Sequence, residues 1–186
     1  MTLLEWSNTH HDPGGKVKIP LPDHVLSDAT FSTCGRYRQL LMRQWNADLP
    51  YIMFVGMNPS TADHTHDDPT VRKECAYARK WGYGGLIKCN VMDYRVTNPK
   101  GLLASDVAPC SEFNLPTITK QLSQVDQVVA AWGKLPNKLK HHADSLHHVL
   151  MNHKKTITCL GVNLDGSPKH PLYVRGDKQL EPYGDL

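Results

Sequence analysis

Four short runs of the chain are almost unbroken in apolar character: Tyr51–Gly56 (YIMFVG), Leu86–Val91 (LIKCNV), Val125–Trp132 (VDQVVAAW) and Thr156–Gly161 (TITCLG). Each is bounded by Gly, Pro or Asn, the pattern of strands buried on both faces. Between them the apolar positions recur at helical spacing. Val71, Cys75, Ala78 and Trp81 make one stripe, with Asp68-Pro69 supplying a cap and a first helical residue, and the Gly82–Gly85 region a stop. Leu139, Ala143, Leu146 and Val149/Leu150 predict a second helix over 137–152, and a weaker one is expected over Leu115–Leu122. Alternating strands and helices imply parallel pairing through right-handed crossovers. The expected fold class is therefore α/β: a three-layer α/β/α sandwich around a central, mainly parallel four-stranded sheet. Ala29–Trp45 (ATFSTCGRYRQLLMRQW) should add a strand or hairpin and a short helix ahead of it. Pro13, Gly14, Gly15, Pro20 and Pro22 punctuate the polar opening. Residues 1–28 thus read as an irregular arm, 29–175 as one α/β domain and 176–186 as a polar tail.

Composition narrows the class of protein. At 186 residues, 40% hydrophobic and 21% charged, the chain suits one globular domain with a proper core. No stretch approaches the ~18 apolar residues of a membrane span, and the polar start lacks a secretory apolar region, so no membrane partner is expected. Five cysteines without a Cys-x-x-Cys pair suit neither a disulfide framework nor a zinc ribbon, which points to a reducing cytoplasm. Lys and Arg outnumber Asp and Glu by 21 to 18, a net +3 that permits an anionic partner without requiring one.

In sheets of this kind, ligands bind at the carboxyl ends of the strands. The first strand runs into Gly56-Met57-Asn58-Pro59-Ser60-Thr61, where Pro59 holds Asn58 extended. Such a carboxamide can orient a water, although taken alone the signal favours a plain Asn-Pro turn. The second strand carries Asn90 inside an apolar run, where a buried amide must find partners in a loop or in a ligand such as a nucleobase edge. The third ends in Trp132-Gly133. The fourth leads through the Asp165-Gly166 turn to His170-Pro171, between Lys169 and Leu172.

These blocks, with Asp67–Trp81, Asn90–Leu102 and Lys169–Tyr173, resemble the signature of the domain-of-unknown-function-1643 family of bacteria and phages. The resemblance covers about residues 29–175, and NPSTAD…DDPT and HPLY are its most specific pieces. More distantly, the order of motifs is similar to the uracil-DNA glycosylase superfamily, which implies that superfamily's fold. It implies roles as well. Asn58 would position the hydrolytic water and His170 would hold the leaving base, as the catalytic pair. Asn90 would read the base, within a substrate pocket made of Gly56, Met57, Pro59, Ser60, Trp132, Gly133 and Pro171. Ser60 stands where that superfamily has Tyr or Gly, and Leu172-Tyr173 replaces its serine.

The function this implies is an N-glycosidase that hydrolyses the base–sugar bond of a modified or mismatched nucleotide. Its partner would be nucleic acid, DNA in the first instance, or a nucleotide. Lys134, Lys169 and Arg175 near the rim, with Arg72 and Arg79 seven apart on the first helix, are the candidate phosphate contacts. Two alternatives stand beside it: a binding module without turnover, and a metal-dependent hydrolase using Asp63, His64, His66, Asp67 and Asp68. Helix-borne His141, His142, His147 and His148 read as solvent-facing. Phosphate-loop and Gly-x-Gly-x-x-Gly motifs are absent, so no cofactor is expected, and a Gly-x-Ser-x-Gly elbow is missing too.

Overall fold

In the structure, a computed structural model that describes residues 17–184, apolar runs and amphipathic stripes assemble around one mixed sheet. In chain order its elements are β1 (Ile19–Pro20), β2 (Leu26–Phe31), β3 (Arg38–Gln44), β4 (Tyr51–Gly56), β5 (His66–Asp67) and α1 (Pro69–Lys80). They continue with β6 (Gly85–Asn90), α2 (Asn114–Gln121), β7 (Val125–Ala130), α3 (Lys140–Asn152), β8 (Ile157–Cys159) and β9 (Glu181–Pro182). The large sheet has seven strands in the order β2-β3-β6-β4-β7-β8-β9, and β1 pairs separately with β5. The four apolar runs lie side by side and parallel, β6-β4-β7-β8. The expectation of a four-stranded sheet is corrected: β2, β3 and β9 extend it with antiparallel strands.

At Ala29–Trp45 the expected strand pairing forms as a hairpin of β2 and β3, but the short helix expected with it does not. Residues 39–44 alternate deeper and shallower positions along β3, which pairs with β2 on one side and β6 on the other. Cross-strand burial outweighs the local helix preference of Gln-Leu-Leu-Met-Arg. Most of the arm expected over 1–28 lies outside the described residues; within it, β1 forms and β2 begins.

Alternation along the parallel strands sends side chains to two cores. Met53, Val55, Ile87, Cys89, Val128 and Ala130 pack on one face with Ile118 of α2 and Ala143, Leu146 and Leu150 of α3. Ile52, Phe54, Leu86 and Val129 pack on the other with Val71, Cys75 and Ala78 of α1. Helices thus cover both faces. All five cysteines are free, and burial pushes the thiol of Cys89 up to about 12, as suits a small core side chain. The histidines of α3 are not uniformly solvent-facing: His141 and His148 are exposed, whereas His142 and His147 are half-buried. The His142 ring sits 3.4 Å from the Cys110 sulfur, and burial lowers its pKa. No helix of the described residues is long and apolar enough to cross a membrane.

Candidate functional site

The layer between the sheet and α1 changes character along the strands. At its lower end Ile52, Leu86 and Phe54 meet the apolar stripe of α1. Two residues further on, the same face of β6 carries Lys88 and then Asn90, and the same face of β4 ends in Gly56, paired in register with Asn90. The N-terminal turns of α1 lie over this region and supply Asp68, Thr70 and Glu74. The result is a cleft of about 400 Å³ at the carboxyl ends of the parallel strands, in which a few polar and charged groups are set among apolar walls.

Its floor is charged and buried. Lys88 and Glu74, 4% and 0% exposed, form an ion pair at 2.6 Å. Burial pushes the Glu74 carboxyl up, against the pull of the Lys88 ammonium. Fully buried Arg38 donates to the Ala62 carbonyl at 2.7 Å, and burial pushes its guanidinium down to about 10, still cationic at neutral pH. Asp68 caps α1, its Oδ1 accepting from the amides of Thr70 and Val71 at 2.9 Å each.

Gly56 is required by a close approach. A Cβ there would stand 2.6 Å from Lys88 Nζ and 3.0 Å from Asn90 Oδ1. Asn90 is 1% exposed, and neither its Oδ1 nor its Nδ2 has a hydrogen-bond partner. Most buried carboxamides are satisfied, because leaving one unmade costs about 1–3 kcal/mol.

Along the rim, Asn58 Nδ2 donates to the carbonyls of Val96 at 2.7 Å and Pro59 at 2.9 Å, which fixes the carboxamide plane. His170 Nδ1 accepts from the Leu172 amide at 3.3 Å, so the neutral imidazole carries its hydrogen on Nε2. Gly133 has φ +70°, and a Cβ on it would lie 3.3 Å from His170 Cβ, so this glycine seats the histidine loop against the end of β7. Exposed Tyr173 stands beside His170, with ring centroids 5.6 Å apart.

Of the residues singled out in the sequence, Gly56, Met57, Asn58, Ser60, Asn90, Trp132, Gly133, Lys134 and His170 line this one cleft. Pro59 and Pro171 shape the turns beside it and are buried. Lys169 lines an adjoining groove that shares Gly133, Lys134 and His170 with the cleft. Arg175 is exposed and pairs with Asp177 at 3.1 Å. Arg72 and Arg79 lie on α1 away from the cleft, and Arg79 stacks over Trp45 at 4.1 Å. Of their lysine neighbours, Lys73 donates to the carbonyls of Leu172 and Val174, and Lys80 to that of Gly176.

Lys88, Arg38, Thr70 and Tyr173 also line the cleft and escaped the sequence reading. Lys88 left a signal: it is two positions from Asn90 in an otherwise apolar strand, hence on the same face. The Asp63–Asp68 segment does not gather its side chains into a cluster: among the described residues there is no group of three or more His, Cys, Asp or Glu placed to hold an ion. Its carboxylates are committed elsewhere. Asp63 accepts from Thr65 and His66, Asp67 pairs with Arg43 at 2.9 Å, and Asp68 is the helix cap.

Fold and cleft define an α/β protein with a ligand-sized pocket, carrying a few buried polar groups, at its parallel strand ends. The family described as protein of unknown function (DUF1643) matches residues 36–172, and the chain belongs to it. No curated protein and no solved structure matches the chain.

Proposed function

We propose that the protein is a nucleobase-recognising N-glycosidase that hydrolyses the base–sugar bond of a modified or mismatched nucleotide. The observation that carries the reading is Asn90, a buried carboxamide with both polar atoms unpartnered, in a cleft that Asn58 and His170 also line. A base edge offers the donor and acceptor this amide lacks. The four parallel strands and their polar ends support the distant likeness to the uracil-DNA glycosylase superfamily.

In this reading the C1′–N bond breaks with its electron pair going to the base, and the sugar is left as an oxocarbenium-like cation. Water adds to C1′ while its proton passes to the departed base or to solvent, so the protein has two tasks. One is a placed water. With Nδ2 of Asn58 anchored on two carbonyls, its Oδ1 is left to accept a hydrogen bond from a water and aim it. The other is relief of negative charge on the leaving base, for which His170 supplies the Nε2 hydrogen. A base held in a polymer must first be turned out of its stack. Lys134, Lys169 and Arg175 would then hold the flanking phosphates.

Incubation with oligonucleotides bearing uracil, hypoxanthine, mismatched and hypermodified bases tests the proposal. Abasic product is expected on at least one, reduced ~10²–10³-fold by His170→Ala and by Asn58→Ala. No abasic product across the panel, at varied pH and salt, refutes it. Steeply salt-dependent binding without cleavage would assign the chain to a binding module instead.

A further inference from the structure

We propose that Lys88 is a specificity-determining residue of the cleft. Together with Asn90 it presents a donor–acceptor–donor row that selects bases bearing an imide edge, a ring N–H between two carbonyls. The inference rests on the reading of the cleft as a nucleobase site and adds the class of base.

A carboxamide alone discriminates poorly. Turned one way it pairs with a carbonyl and ring N–H; turned over, it pairs with an amino group and ring nitrogen. No hydrogen bond holds either polar atom of Asn90. What breaks the degeneracy is the neighbouring charge. Lys88 Nζ and Asn90 Oδ1 both lie within 3.0 Å of the point where a Cβ on Gly56 would stand. An ammonium favours an amide oxygen beside it and disfavours an amide NH₂, so Oδ1 turns toward Lys88 and Nδ2 away.

Glu74 keeps the ammonium in place. The 2.6 Å bond takes one of its three hydrogens, and at 4% exposure bulk water has little access to the others. The row offered to a ligand is therefore Nζ as donor, Oδ1 as acceptor and Nδ2 as donor. Its complement is acceptor–donor–acceptor, the pattern of O2, N3–H and O4 in uracil and thymine and of O2, N1–H and O6 in xanthine. A base with an amino group in the row, such as cytosine, would set N–H hydrogens against a cation that can only donate.

Calorimetric titration of the intact protein with free uracil, xanthine, cytosine and 3-methyluracil reads this without turnover. Uracil and xanthine should bind about 10²-fold more tightly than cytosine or 3-methyluracil. The variant Lys88→Met/Glu74→Met removes both charges together, because Lys88→Met alone would strand a buried carboxylate. In it, the uracil-to-cytosine ratio should fall to within about threefold of one. An unchanged ratio in that variant, or wild-type protein that binds cytosine as well as uracil, overturns the role of Lys88 while leaving the cleft a base site. Absence of binding by all four bases overturns the base-site reading, and this inference with it. If the double variant fails to fold by circular dichroism, the wild-type ratio decides alone.

Discussion

Gly56→Ala adds one methyl group where the structure has least room for it. The new Cβ would sit 2.6 Å from Lys88 Nζ, 3.2 Å from Lys88 Cε and 3.0 Å from Asn90 Oδ1. Contacts this short must relax, and each route is obstructed. The β4 backbone is paired with β6 and β7, and the Val91 amide donates to the Gly56 carbonyl at 2.8 Å. The lysine end could swing away only by leaving Glu74, and breaking a buried pair costs about 3–5 kcal/mol. The molecule should therefore accept overpacking, at about 1–3 kcal/mol. At roughly 2–4 °C per kcal/mol for a domain of this size, Tm should fall by about 2–12 °C. Gly176→Ala is the control: a Cβ there meets nothing within 4 Å, and its stability should stay within about 0.5 kcal/mol of wild type. Calorimetric melting with urea titration measures both. A Gly56→Ala protein as stable as the control would mean that the amine and the amide do not converge on Gly56, and would remove the basis for the row of donors and acceptor.

Three further outcomes follow from the same geometry. Asn90→Val exchanges an unpartnered amide for an apolar group of similar size; urea denaturation should show it about 1–2 kcal/mol more stable than wild type while base binding is lost. A destabilised variant would show that Asn90 serves the fold. Asp68→Ala leaves the amides of Thr70 and Val71 without their acceptor and should cost about 0.5–2 kcal/mol by the same measurement. Asp63 supplies the pH dependence. Partial burial pushes its carboxyl up, but hydrogen bonds from Thr65 and His66, with Lys18 nearby, outweigh this and hold it at about 2 against an ordinary 3.8. A depressed native pKa stabilises the fold above the unfolded value and ceases to do so as pH falls from 3.8 toward 2. The deficit of Asp63→Asn relative to wild type should therefore be present at pH 5 and shrink by pH 2.5; a constant deficit would contradict the assignment.

Much of this architecture is local enough to be written in the chain. Asp68-Pro69 begins α1 because a carboxylate that accepts amide hydrogens and a residue that needs none are intrinsically suited to a helix start. The apolar runs become parallel strands because only burial on both faces accommodates them, and Asn58 and Asn90 follow at strand ends by connectivity. His170, eleven residues beyond β8, is instead brought to the cleft by the packing of its loop on Gly133. A strand or hairpin over Ala29–Trp45 was legible, but the short helix expected beside it was not found: Arg38–Gln44 could suit a helix, and the open edge of β6 makes it a strand.

The floor of the cleft belongs wholly to the tertiary structure. By composition Lys88 and Glu74 are ordinary surface residues, fourteen positions apart, and their meeting depends on how α1 lies across β6. The sequence decided where the polar groups fall along each element, because that is set by periodicities of two and 3.6. Whether such a group is a solvated ornament, a helix cap or half of a buried ion pair depends on what another element brings within about 3 Å of it. That is a property of packing between distant segments, and no local pattern contains it.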